Sequence, residues 1–436
     1  MKTVIMAGGR GTRIAGIAPD IPKPMIRVSG CPVLGHEIEC LRRQGFTDLI
    51  LTVGYKKECI REYFGDGAEF GVRIAYYEEN TPLGNAGALF RIRDSLQEDF
   101  LLLNADSVFD VDFRRFVQAH RKNGTAATLF AHPNSHPYDS GLLIPDGEGR
   151  VAAWLTKEDP RPEYCRNLVN AGLHILSPEV LDLALARKGM TEEDLLEEDR
   201  MLAAGETVTA TRWDLDRDLL KPLSGTGKLA VYRSPEYVRD MGTPDRFAAV
   251  CRDFENGNVQ RKNLALKQKA VFLDRDGVLN REVGFCRSAE EFELLPWAAE
   301  NIRKINESGY LAVVVTNQPV IARGETSFQE LDRIHCKLET ELGKQGAYLD
   351  GIYFCPHHPD RGFAGEVPEL KIECGCRKPK PGLLLRAAEE LNIDLSQSVM
   401  VGDSWRDMQA GEAAGVRKCL RAGTNEPWDV RELLNG

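Results

Sequence analysis

Short apolar runs of β type alternate with amphipathic segments along the whole chain, and the alternation starts afresh once. In the first half TVIMA, LILTVGY, VRIAYY and FLLLNAD read as strands, and GHEIECLRRQG reads as a helix with one apolar face and a glycine stop. Such alternation predicts α/β layers around mostly parallel sheets. The pattern restarts at KAVFLDRDG and continues through YLAVVVTNQ, GIYFCP and SVMVGDS. Between the halves lies CRDFENGNVQRKNLALKQ, polar and poor in aromatics, which places a boundary near Gln260–Lys267. Two α/β domains are expected, residues 1–262 and 268–436, with no repeat relating them.

The formal net charge of -10 argues against nucleic acid as the main partner, since binders of the phosphate backbone tend to be basic. It leaves small anionic ligands open, which need only a few cations and backbone N–H groups. No apolar run approaches the ~20 residues of a membrane helix, and MKTVIMAGG lacks the long apolar region of an export signal. A cytoplasmic protein with no membrane partner is expected, its eleven cysteines reduced or metal-bound.

The first glycine cluster ends a strand, in MAGGRGTRIAGIAPDIPKPMI from Met6 to Ile26. Gly8, Gly9 and Gly11 let backbone N–H groups approach a polyphosphate closely, and Arg13 and Lys23 add cations. Pro22 and Pro24 hold Lys23 on a stiff backbone. The string G-G-x-G-T-R followed by P-K-P resembles the signature of sugar-1-phosphate nucleotidylyltransferases. Further matches follow in family order over roughly residues 1–250: TPLGNAGAL, LLLNADSVFD, YDSGLL, WLTKED, VNAGLHIL, DLDRDLLKPL and VRDMGTPDRF. The resemblance implies a Rossmann-like, GT-A type domain. It implies a nucleotide site of Ala7, Gly8, Gly9, Gly11, Thr12, Arg13, Lys23, Pro82 and Gly84, with Arg13 and Lys23 catalytic. It further implies a sugar phosphate site at Gly141, Lys157 and Asn170, and Mg2+ on Asp106 and Asp240. Thr156 stands where the family often has Glu. The implied reaction is in-line attack of a sugar phosphate oxygen on the α-phosphorus of an NTP, with pyrophosphate leaving.

The second half opens with Asp274 and Asp276 at the end of an apolar strand. Two carboxylates on one side of a phosphate suit a nucleophile and a proton-transfer group. D-R-D-G, V-V-V-T-N-Q, C-R-K-P-K-P-G and V-M-V-G-D-S resemble, in order, the motifs of the haloacid-dehalogenase superfamily. The resemblance makes Asp274 the nucleophile, Asp276 the acid and base, and Thr316 and Lys378 catalytic. Asn317, Arg377 and Lys378 contact the substrate phosphate, Asp274, Asp276 and Asp403 hold Mg2+, and Asp407 is a supporting acid.

Cys355-x-His357 and Cys374-x-Cys376 are two tight pairs joined by a long loop, which suits a closed tetrahedral Zn2+ site of structural kind. His358 is the weaker ligand candidate. With the zinc loop, the half closely resembles D-glycero-D-manno-heptose 1,7-bisphosphate phosphatases and their relatives, the histidinol phosphatases. Pro319-Val320 and Ser404 depart from the family's usual Ser-Gly and Lys.

Together the resemblances imply a sequence of two reactions. A heptose bisphosphate loses its 7-phosphate, and the remaining 1-phosphate accepts GMP from GTP, as in the heptose-1-phosphate guanylyltransferase branch. The rival reading is a mannose- or glucose-1-phosphate nucleotidylyltransferase fused to a general sugar or histidinol phosphatase. Homo-oligomers are common in the transferase family, though the sequence carries no interface signal.

Overall fold

A computed structural model describes residues 1–9, 21–156, 158–204, 206 and 209–434. The expected phosphate-loop residues Gly11, Thr12 and Arg13, and the expected sugar phosphate ligand Lys157, lie outside the described residues. The chain divides into two compact units. The first holds Met1–Ala131, Leu143–Trp154 and Asn170–Asn263; the second holds His132–Leu142, Leu155–Val169 and the chain from Leu264 onward.

In the first unit β1 (Thr3–Ala7), β2 (Asp48–Val53), β3 (Arg73–Glu78) and β4 (Phe100–Asn104) run parallel in the order β3-β2-β1-β4. A short second ladder joins β5 (Ser107–Asp110) to a strand near the end of the unit. The large sheet reaches nine strands with β6 (Ala127–His132), β7 (Leu142–Pro145), β8 (Val151–Leu155), β9 (Val169–Leu176) and β10 (Leu229–Arg233). Strand β9 runs antiparallel to β4, with His174 opposite Leu102. The inner strands are apolar on both faces, as expected of strands covered by helices. The Val33–Arg43 helix supplies Leu34, Ile38 and Leu41 to the core, where they meet Phe109, Phe113 and Phe116.

The short ladder pairs β5 with β11 (Tyr237–Asp240), antiparallel, in a register that sets Asp240 opposite Ser107. Residues more than a hundred positions apart are thereby brought to one edge of the unit.

The second unit carries a five-stranded sheet of β12 (Ala270–Leu273), β13 (Leu311–Asn317), β14 (Gly351–Cys355), β15 (Val399–Gly402) and β16 (Lys418–Arg421). The order is β14-β13-β12-β15-β16 and every pairing is parallel. Functional groups of such sheets gather beyond the C-terminal strand ends. Here Asp274 directly follows β12, β13 carries Thr316 and Asn317, and Asp403 directly follows β15. The Ala298–Ser308 and Phe328–Lys344 helices cover one face, burying Ile302, Ile305, Ile334 and Leu338. Ser327 caps the longer helix by accepting from the Glu330 N–H at 3.0 Å.

Candidate active sites and a candidate metal centre

In the first unit a cavity of about 440 Å3 opens where β1 and β4 end. Ala7, Gly8, Gly9, Lys23, Gly84 and Asp106, all expected there from sequence, line it. Pro22 holds an extended φ of -65° and launches a short 3-10 turn over Lys23–Met25. The buried Lys23 ammonium from that turn donates to Asp106 Oδ2 at 2.8 Å. Asp240 accepts from the Gly242 N–H at 2.8 Å and from Arg246 at 3.0 and 3.1 Å. Burial raises the Asp240 carboxyl, but Gly242, Arg246 and the charge of Lys23 outweigh it and leave it below its ordinary value. Both expected metal aspartates therefore sit within the field of Lys23.

Gly84 is required by shape. Its φ is +82°, and a Cβ there would lie 2.3 Å from the Trp213 carbonyl oxygen. Trp213 N–H donates to Leu83 O at 2.8 Å and Ala86 N–H to Trp213 O at 3.0 Å, so the glycine loop is clasped by a distant segment. Pro82 is exposed and outside the cavity lining. Gly141 belongs to the second unit and Asn170 to the first, and neither lines this cavity. The Asn170 side chain accepts from the Gly172 N–H at 3.2 Å.

Two acids here have no counterpart in the sequence reading. Glu79 lines the cavity just past β3, and burial pushes it up to about 7. Glu37 is fully buried on the Val33–Arg43 helix, where burial and the nearby Asp106 hold it well above the ordinary carboxyl range.

The second unit's cavity, about 430 Å3, is lined by Asp274, Asp276, Thr316, Asn317, Arg377, Lys378 and Asp403, which the sequence nominated, and by Arg323, Arg406 and His358. Lys378 is 2% exposed, with its ammonium 2.9 Å from Asp274 Oδ1 and 2.5 Å from Asp407 Oδ1. Asp407 also completes a capping box on the Trp405–Ala414 helix, accepting from the Ser404 hydroxyl at 2.6 Å and its N–H at 3.0 Å. Asp403 accepts from the Thr424 hydroxyl at 2.8 Å. Gly277, at φ +78°, leaves room for it, since a Cβ would stand 2.3 Å from Asp403 Oδ2.

Asp274, Asp403 and Asp407 bring carboxylate oxygens within 4.8 Å of one another. Burial, reinforced by Asp407 and Asp276, drives the Asp274 carboxyl above its ordinary value despite Lys378. A divalent cation among these oxygens would reverse that shift, so the donor set fits one. Asp276 was also expected among the metal ligands, but in the structure its carboxylate is occupied otherwise. It accepts from Arg275 Nη2 at 2.8 and 2.9 Å, from Gln318 at 2.8 Å and from Asn280 at 3.0 Å. Burial raises that carboxyl, yet these donors hold it below the ordinary value. Thr316 accepts from Gln318 Nε2 at 2.9 Å. Asn317 is committed to the backbone of Lys378, donating to its carbonyl and accepting from its N–H, both at 3.0 Å.

The four nominated zinc ligands converge. Sulfur-to-sulfur distances among Cys355, Cys374 and Cys376 are 3.2 to 3.5 Å, and His357 Nδ1 lies 3.3 and 3.6 Å from two of them. Tetrahedral ligation with metal–sulfur bonds of about 2.3 Å places sulfurs just under 4 Å apart, so the cluster needs only slight expansion around an ion. His358 stands outside this group, facing Arg323 at 3.4 Å. Cys376 immediately precedes Arg377 and Lys378, so the cluster also anchors the two cations.

Arg275 and Gln318, which contact Asp276, and Arg323 and Arg406, which line the cavity, were not nominated from sequence. The first two lay inside the quoted D-R-D-G and V-V-V-T-N-Q strings, at positions given no role there.

A nucleotidyl transferase family model matches residues 2–256, and a haloacid dehalogenase-like hydrolase model matches residues 225–415. The chain is 42% identical over 162 residues to D-glycero-beta-D-manno-heptose-1,7-bisphosphate 7-phosphatase of Vibrio cholerae, covering 37% of this chain and 85% of the relative. It is 39% identical over 161 residues to D-glycero-alpha-D-manno-heptose-1,7-bisphosphate 7-phosphatase of Photorhabdus laumondii, covering 37% and 86%. The crystal structure of HddC from Yersinia pseudotuberculosis aligns with 58% of this chain and 99% of its own, at 23% identity and a TM-score of 0.46. The chain belongs to the nucleotidyl transferase family through its first half and to the haloacid dehalogenase-like phosphatases through its second, two enzymes in one polypeptide.

Proposed function

We propose that the chain makes a nucleotide-activated heptose in two steps. The phosphatase removes the 7-phosphate of D-glycero-D-manno-heptose 1,7-bisphosphate, and the transferase joins the resulting heptose 1-phosphate to GMP from GTP, releasing pyrophosphate. The observation that carries this reading is the 42% identity to a heptose bisphosphate phosphatase in a chain that is also a nucleotidyl transferase. Removing the 7-phosphate leaves the kind of anomeric phosphate that a nucleotidyl transferase consumes. The phosphatase cavity supports a bisphosphate, since Arg323, Arg377 and Arg406 line it in addition to Lys378. Relatives of both anomeric types match at similar identity, and the α-anomer is favoured here because it belongs with the GDP route.

In the first half-reaction a carboxylate oxygen of Asp274 attacks the 7-phosphorus in line and the bond to the sugar O7 breaks. Asp276 gives O7 its proton; the arriving phosphate dianion favours the protonated form that this step needs. Water then attacks the aspartyl-phosphate, with Asp276 taking its proton, and inorganic phosphate leaves. Thr316 and Lys378 hold the phosphoryl oxygens. Asp274 and Asp403 would hold Mg2+, whose charge supplies electrostatic stabilisation of the phosphoryl group. The Cys355, His357, Cys374 and Cys376 set would hold Zn2+ with no open position, a structural site.

In the transferase, Gly8, Gly9 and Gly11 cradle the nucleotide phosphates with Arg13, and Lys23 neutralises the transferred group. Asp106 and Asp240 would hold Mg2+, and Lys157 and Asn170 the sugar phosphate. Eleven free cysteines suit a reducing compartment, the cytoplasm. Among the described residues no helix is long and apolar enough to cross a membrane.

The test is phosphorus NMR of the protein with Mg2+, GTP and the α-anomer of the bisphosphate. A heptose 1-phosphate signal should appear with inorganic phosphate, then a sugar nucleotide with pyrophosphate. Phosphate release without a sugar nucleotide from any NTP would overturn the transferase assignment; no phosphate release would overturn the heptose reading.

A further inference from the structure

Glu79 is an acid of the transferase cavity that the proposed chemistry does not use. It directly follows β3, and its N–H donates to Val53 O at 2.8 Å, which pins it to the end of β2. From there its side chain reaches across to the end of β1, since a Cβ on Gly8 would stand 3.7 Å from Glu79 Oε1. A Cβ on Gly54 would in turn stand 3.2 Å from the Gly8 carbonyl oxygen. The two glycines leave the floor beside Glu79 bare of side chains, a surface on which a flat ring can lie. Among the described residues the Glu79 carboxylate meets no cation and no hydrogen-bond donor, and burial is what raises it. A half-buried acceptor that faces a cavity without a partner is a group kept for a ligand.

Strand order decides which part of the ligand meets it. The large sheet runs β3-β2-β1-β4-β9 across this region. Asp106 and the Lys23 ammonium mark the metal and phosphate end, just past β4. Asn170, expected on the sugar phosphate, lies on β9, farther still from β3. The Glu79 backbone stands on the opposite side, three strand spacings or roughly 14 Å from the end of β4. A carboxylate repels phosphate, so the triphosphate keeps to the Lys23 side and the uncharged base is left for Glu79. Gly84, also expected at the nucleotide, lines the same cavity.

We infer that Glu79 reads guanine, its two carboxylate oxygens accepting from the base N1–H and N2–H together. Guanine is the base that offers two neighbouring donors on one edge, the match for a bidentate carboxylate. Adenine and cytosine put a ring acceptor where N1–H would be, and uracil and thymine put a carbonyl where N2 would be. Each of those sets a lone pair against the carboxylate. Two donors and no acceptor favour the ionised carboxyl and offset the burial that raises it. The inference rests on the reading of the first half as a guanylyltransferase.

Inosine triphosphate differs from GTP by the 2-amino group alone, which isolates one of the two contacts. Calorimetric titration of the full chain with Mg2+ and no sugar phosphate reads nucleotide binding without turnover. GTP should bind about tenfold or more tightly than inosine triphosphate. Glu79→Gln sets an amide donor against one of the base donors. It should weaken GTP about tenfold or more and bring the two nucleotides within about threefold of each other. Inorganic pyrophosphate should bind parent and variant within about twofold, because the phosphate end is untouched. Should Glu79→Gln not fold, Glu79→Ala carries the same expectations. Equal GTP and inosine triphosphate affinities in the parent, a GTP preference that survives in the variant, or a matching loss of pyrophosphate affinity would each overturn the inference. The guanylyltransferase reading outlives any of those results so long as the parent binds GTP more tightly than ATP and UTP. If the parent favours ATP or UTP, that reading falls and the inference with it.

Discussion

Replacing Lys378 by methionine removes one buried cation from between two carboxylates and leaves the shape nearly unchanged. Lys378 is 2% exposed, Asp407 is 0% exposed, and both ion-pair distances are under 3 Å. Breaking such a pair by deleting one partner costs about 3–5 kcal/mol, because the other charges stay buried and uncompensated. The same ammonium is proposed to hold the transferred phosphoryl group, where a preorganised donor is worth about 10²–10³ in kcat. A chain of two units has no single unfolding free energy, so stability is best read locally, by hydrogen exchange of the β12 and β15 amides. Lys378→Met should lose protection there and lose phosphatase kcat, while the transferase keeps its rate. Adding Asp407→Asn should restore much of the protection, by removing the stranded charge, without restoring kcat. Unchanged protection in the single variant, or a kcat within threefold of the parent, would refute the ion-pair argument.

Asp274→Asn and Asp106→Asn should each abolish one activity and spare the other, measured as phosphate and pyrophosphate release. Cys376→Ser, or prolonged chelation, should release bound metal measurable by mass spectrometry and cost phosphatase activity, because Arg377 and Lys378 follow Cys376 directly; apparent zinc binding energies of about 10–16 kcal/mol make the site hard to strip. His174 is buried opposite Leu102, and burial depresses it to about 4. Below an unfolded value of 6.5 the unfolded chain takes up a proton that the folded one refuses. Stability of the first unit should therefore fall between about pH 6.5 and 4, by roughly 3 kcal/mol in full, and His174→Leu should flatten that slope in denaturant titrations.

The carboxylates at strand ends were legible because an apolar run that stops at an aspartate is a local signal, as at Asp274 and Asp403. The cysteine and histidine pairs were legible through spacing, and the structure brings all four donors together. Other features have no local signal. Gly84 looks like a flexible loop residue until Trp213, more than a hundred positions away, is seen against it. Glu37, His335 and Glu339 interrupt the apolar faces of helices, and periodicity treats them as noise. Arg275 sits between two motif residues and reads as a spacer, although it clamps the second of them. The place of residues 132–142 and 155–169 in the second unit depends on partners such as Glu339 and Thr340, far along the chain.

That last feature bears on how the polypeptide is made. Translation delivers residues 132–142 and 155–169 well before the helix that receives them has left the ribosome. The earlier half can lay down β1 to β4 and bury most of its core at once, since those strands are close in sequence. The two stretches must wait, polar groups hydrated, until Thr340 and Glu339 emerge. A nascent chain arrested anywhere between the boundary and the end of the Phe328–Lys344 helix would expose Tyr164 and Arg166 to solvent and proteases. Protection of Tyr164 and Arg166 therefore marks the emergence of the Phe328–Lys344 helix, with residues 345–436 still to follow.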